Sequence, residues 1–158
     1  MLSHIWRIAA LLCIIGTGVR LLGQTPPCPS AEQYKERGGH CDLAPKLITV
    51  TRVRGRAVRS NGDGSEWPPA EMSGACLSLF TEDSHNFVSS RVVDSEGRFD
   101  FGAVPPGRYR LIARAGGFPI GNNPVKVVRF GWFTNHRIII SFEASRHACT
   151  SAFIEKRR

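Results

Sequence analysis

DSEGRFDFGAVPPGRYRLIARAGGF, residues 94–118, packs two chain reversals and two runs of alternating side chains into one short segment. Asp94-Ser95-Glu96-Gly97 has turn chemistry, with an acceptor side chain at its start and a glycine free to take positive φ at its end. Phe99 and Phe101 follow two apart, so on a strand they share a face. Pro105 and Pro106 cannot donate to a ladder, and Gly107 permits a tight bend, so VPPG ends one strand and redirects the chain into the next. Tyr109, Leu111 and Ala113 then return to the core face. The segment is a folding instruction: two hairpin corners that put large apolar side chains inside, each worth about 1.5–3 kcal/mol on burial.

Outward from this stretch the chain keeps the same grammar. KLITVTRVRGRAV (46–58) is β-branched and alternating, but its phase slips between Val50 and Val53, which predicts a bulge or a change of strand partner. RSNGDGSEWPPAEMSG is a long loop. ACLSLF (75–80) places Ala75, Leu77 and Leu79 on one face and Cys76 on the other. Further strands are expected at 87–93, 98–101, 108–114, 125–130 and 137–142. Seven short strands with no helical period predict an all-β sandwich.

The chain has 158 residues, which suits one domain with processing or terminal segments. MLSHIWR, the apolar run IAALLCIIGTGV and the polar, Pro-rich RLLGQTPPCPS have the layout of a secretory signal peptide. The run is shorter than the roughly 20 residues a membrane span takes. Cleavage after Gly23 gives the partition 1–23 signal, 24–46 N-terminal segment, 47–143 sandwich and 144–158 tail. An uncleaved anchor over 5–23, the sole route to a membrane association, is the alternative.

Loss of Cys13 with the signal leaves Cys28, Cys41, Cys76 and Cys149, an even number in a chain expected to be exported. Cys28 with Cys41 would close a short segment in which Ser30 and Gln33 form a capping box for a helix that Gly38 could end. Cys76, facing away from the core, would then meet Cys149 in a tail crossing the sheet. A zinc site using His40 and His147 competes, but no Cys-x-x-Cys pair exists and the HC and HAC spacings are poor.

With these residues in view, the segment 94–118, preceded by VRGRAV and ACLSLF, resembles the carboxypeptidase regulatory-like domains, related to collagen-adhesin B-type repeats and transthyretin-like (prealbumin-like) sandwiches. The likeness spans about residues 48–142. It implies a seven-stranded Greek-key β-sandwich outside the cytoplasm; the cysteine count separately adds a short disulfide-stapled N-terminal segment before it. It implies little chemistry, since such domains serve as spacers, adhesion or carbohydrate-associated modules and accessory domains. An internal Lys–Asn isopeptide bond, found in some adhesin repeats, would here fall to Lys46 and Asn135.

Enzyme motifs are missing. There is no His-x-x-Glu, His-x-His, G-x-S-x-G, Walker loop or dinucleotide glycine turn. NGDGSE (61–66) resembles a calcium loop only faintly, because its twelfth position is Met72 rather than Glu. No cofactor and no catalytic residue is expected. The net charge of +8 suits an anionic partner. Arg108, Arg110 and Arg114 share one strand face, with Arg91 and Arg98 expected nearby on partner strands. Trp67, Trp132 and Phe133 are loop aromatics able to stack on a sugar. Nucleic acid is not expected, since the basic residues are dispersed and no recognition motif is present. The sequence therefore points to a secreted or periplasmic, non-enzymatic module at a bacterial-type envelope, binding polysaccharide or an envelope protein or serving structurally. The alternative is a small metal-dependent protein or enzyme using His40 and His147.

Overall fold

A computed structural model describes Cys28 and residues 46–61, 63–129, 136–143 and 150–155. The signal segment, the Ser30–Gly38 helix, Cys41, Cys149, His40, His147, Trp132, Phe133 and Asn135 lie outside the described residues.

The described residues form nine strands: β1 (Ile48–Val50), β2 (Arg54–Ser60), β3 (Cys76–Thr81), β4 (Phe87–Val92), β5 (Arg98–Asp100), β6 (Gly107–Arg114), β7 (Gly121–Val127), β8 (Ile138–Glu143) and β9 (Thr150–Ile154), with a 3-10 turn at Pro69–Met72. They build two sheets, ordered β1-β7-β6-β3-β4 and β5-β2-β8-β9. The expected all-β sandwich is what the chain forms. β3 and β6 lie side by side because β5 crosses to the other sheet between them, a Greek-key connection.

The strand count differs from seven for two reasons. The stretch 46–58 is not one strand but two, in different sheets: β1 pairs in parallel with β7, and β2 in parallel with β8. Val50 and Val53 are both fully buried. Three apart, they could not face one way along a single strand, and the crossing between the sheets at 51–53 lets both point into the core. The second addition is β9, from the segment assigned to a tail. It pairs antiparallel with β8 and turns Thr150, Ala152 and Ile154 inward. β7 also begins earlier than expected, taking in Asn122, Asn123 and Pro124.

Leu77, Leu79, Leu111, Ala113, Val125 and Val127 from the first sheet meet Ala57, Phe99, Ile138, Ile140 and Phe142 from the second. Two inward polar side chains join them, Thr150 and Asn123. Asn123 is buried, and its Oδ1 accepts the Ala152 N–H at 3.0 Å, tying β7 of one sheet to β9 of the other.

The opening stretch folds as its residues dictate. Asp94 Oδ1 accepts the N–H groups of Glu96 (2.9 Å) and Arg98 (2.7 Å), and Gly97 takes φ +74°. A Cβ at Gly97 would stand 3.0 Å from the Ala57 carbonyl oxygen, so glycine is required for both conformation and space. Phe99 and Phe101 are buried edge to face, 6.3 Å apart. The Pro-Pro-Gly corner is locked by the aromatic two residues on. Tyr109 O–H donates to the Pro105 carbonyl at 2.7 Å, and its ring lies over Gly107, where a Cβ would come within 3.3 Å of it.

The disulfide pairing is a correction. Cys28 is bonded to Cys76, with Cα atoms 5.6 Å apart, which overturns both Cys28–Cys41 and Cys76–Cys149. Cys76 does face away from the core, but the segment that meets it there is the N-terminal one. Cys28 is buried at this point, its sulfur 3.3 Å from the Arg91 carbonyl oxygen.

Candidate functional site

Alternation along β6 puts Arg108, Arg110 and Arg114 on the outer face of the first sheet, and the ladders then separate them. Arg108 pairs across β7 with Lys126, while Arg110 sits between Phe80 of β3 and Pro124 of β7. The two arginines share one carboxylate: Glu82 lies 3.5 Å from Arg108 and 3.3 Å from Arg110. Arg114 lies opposite Cys76, beside the disulfide and about 20 Å along the strand from Arg108. Ile112, between them on the same face, is buried. The face therefore presents Arg108 and Arg110 on Glu82, with Lys126 beside Arg108 on its other side, rather than a row of three arginines.

Arg91 and Arg98 do not join that cluster. Arg91 pairs with the inward-facing Leu77, so at the sheet edge its guanidinium reaches across to β5, donating to the Asp100 carbonyl (2.9 Å) and lying 5.7 Å from the Phe101 ring. Arg98 belongs to the other sheet and pairs with Asp94 and Glu96.

Trp67 is 39% exposed at the mouth of the 61–66 turn. Its Nε1 donates to Asn61 Oδ1 at 2.6 Å, and the Arg59 guanidinium stacks 4.2 Å from the ring centroid. The turn itself is knitted by side chains. Ser65 donates from N and Oγ to Asp63 Oδ1 at 2.9 and 2.7 Å, and these hydrogen bonds hold the Asp63 carboxyl below its usual range. Among the described residues no group of three His, Cys, Asp or Glu side chains is placed to hold a metal ion.

A concave site of about 710 Å³ was not anticipated. It lies where β2, β5, the end of β4 and the start of β8 converge, and five arginines line it: Arg54, Arg56, Arg91, Arg98 and Arg137. Each carboxylate in its wall is engaged. Asp94 and Glu96 pair with Arg98, Glu155 with Arg56, and Asp100 with Arg52 through both oxygens, at 3.0 and 2.8 Å. Partial burial pushes the Asp100 carboxyl up, but the Gly102 N–H and Arg52 outweigh it and hold it below the usual range. The alternation of Arg52, Arg54 and Arg56 in RVRGR was the available sequence signal. Its meaning depended on which strands β2 pairs with, and no local pattern gives that.

No protein-family model matches the chain, and no curated protein matches it significantly. Among solved structures it is similar to 5-hydroxyisourate hydrolase from Klebsiella pneumoniae, at 14% identity and a TM-score of 0.44, over 69% of this chain and 96% of the hydrolase.

Proposed function

We propose that this chain is an exported, non-enzymatic β-sandwich module of the carboxypeptidase regulatory-like kind, with a binding or structural role at the cell envelope. An acidic polysaccharide or an anionic envelope protein is its partner. The Arg108, Arg110 and Lys126 face carries the reading: three cations on one face, of which Arg108 and Arg110 share the single carboxylate of Glu82, leave an exposed positive surface. Such a surface attracts polyanions over a distance set by salt, about 8 Å at physiological ionic strength. The Cys28–Cys76 disulfide is in keeping with an oxidising compartment. Among the described residues no helix is long and apolar enough to cross a membrane.

The test is a titration against anionic and neutral polysaccharides at two salt concentrations. Binding to the anionic polymer that weakens with salt and is lost in Arg110→Ala supports the reading. Salt-insensitive binding with Trp67 fluorescence quenching would move the contact to the Trp67 corner. Binding to neither polymer by the folded, oxidised protein would end the polysaccharide assignment.

A further inference from the structure

Among the described residues, Arg54 and Arg137 are neighbours without a carboxylate of their own, Asp100 acting on Arg54 only from beyond ion-pair distance. The β2–β8 ladder begins with Gly55 opposite Ile138, so Arg54 at the start of β2 and Arg137 just before β8 stand one register position earlier, with backbones about 5 Å apart. Like charges side by side on paired strands are destabilising. The residue across from Arg54 on its other side is Asp100, but Arg52 takes both of its oxygens and the Gly102 N–H shares Oδ1. Among the described residues, neither Arg54 nor Arg137 has a carboxylate within ion-pair distance. The Arg54 Nε is also shielded from solvent and makes no hydrogen bond. A buried N–H donor on a cation is costly when unmade. Both residues line the same concave site.

From this arrangement we infer that the groove binds a compact oxyanion, a carboxylate or phosphate group, gripped jointly by Arg54 and Arg137. Planar guanidinium forks match both groups through paired N–H donors. The site is separate from the Arg108 cluster, which lies on the outer face of the other sheet. It takes a single charged group in a concavity rather than a polymer along a surface.

The experiment is an NMR titration of the full oxidised protein, following arginine Nε–H resonances, with inorganic phosphate and with galacturonate, each matched in ionic strength by sodium chloride. The expected result is a saturable shift of the Arg54 Nε–H signal that sodium chloride does not reproduce. Phosphate alone, galacturonate alone or both producing it identifies which oxyanion the groove accepts. Arg54→Gln and Arg137→Gln should each weaken binding by about tenfold or more. A shift that sodium chloride matches, or no shift in the wild-type protein, overturns the inference without requiring any variant to fold. Loss of polysaccharide binding in Arg110→Ala but not in Arg54→Gln would keep the two sites distinct.

Discussion

Removing one oxygen, in Tyr109→Phe, tests the Pro-Pro-Gly corner. The phenol donates to the Pro105 carbonyl at 2.7 Å from a residue that is 6% exposed. A neutral hydrogen bond contributes about 1 kcal/mol net, more when its loss strands a buried group. Pro105 is exposed, so water can reach its carbonyl in the variant and the loss stays near that figure. With a urea m-value of about 2 kcal/mol/M, the midpoint falls by about 0.5 M. Tyr109→Ala, which also empties the ring's site, should cost about 3–5 kcal/mol. A pH series sharpens the test. Burial pushes the Tyr109 phenol above its ordinary value. A group with a raised folded pKa stabilises fully below its unfolded value, near 10, and that contribution is lost as pH rises through the higher folded value. The wild-type advantage over Tyr109→Phe should therefore hold from neutral pH to about 9 and shrink above 10. Equal urea midpoints at neutral pH, or a gap that stays constant to strongly alkaline pH, would refute the corner's role.

Gly97→Ala should destabilise by about 1–2 kcal/mol from its left-handed backbone alone, with the Ala57 carbonyl contact adding to it; an unchanged melting temperature would contradict the turn geometry. Cys28→Ser should cost about 4 kcal/mol in the chain-entropy account, since the bond closes a separation of 48 residues, and non-reducing peptide mapping should return a Cys28–Cys76 peptide. For Asp94→Ala the pH dependence runs the other way. The Arg98 N–H, foremost among its hydrogen bonds, holds the Asp94 carboxyl below its usual range, so the turn's contribution is present above pH about 4 and lost as pH falls through the lower folded value. The variant should unfold more easily at neutral pH and match wild type in strong acid, as followed by circular dichroism.

What could be read from the sequence was local. The Asp94–Gly97 turn, the Phe99/Phe101 pair and the inward Tyr109, Leu111 and Ala113 follow from period-two alternation and turn chemistry, which need no knowledge of neighbours. The Val50/Val53 slip signalled a change of partner, although not that the strand would split between sheets. GNNP concealed the start of β7 because Asn and Pro read as loop; Pro124 fits there because β1 pairs only from Val125 onward. β9 carried its own alternation at Thr150, Ala152 and Ile154, obscured by Phe153, an apolar residue left 46% exposed on the outer face. The positions of the arginines were known, but which of them meet was not. Arg108 beside Lys126, and Arg54 beside Arg137, are products of register, and register between distant strands is set by the whole core rather than by either segment.

The two parallel pairings impose an order in time on a chain delivered amino-terminus first. β1 has no ladder neighbour until 125–127 arrive, and β2, even with β5 in place, stays an open edge until 138–143 do. The earliest strands made are thus among the last to be sealed. Once residue 114 is made and before β7 follows at 121, the chain offers the antiparallel β4-β3-β6 unit, with the β-branched run at 46–58 not yet fully paired. Contacts between distant segments close slowly and leave strand edges exposed meanwhile. The alternating arginines 52, 54 and 56 sit within that run, where dense positive charge discourages edge-to-edge association until the late strands cover it.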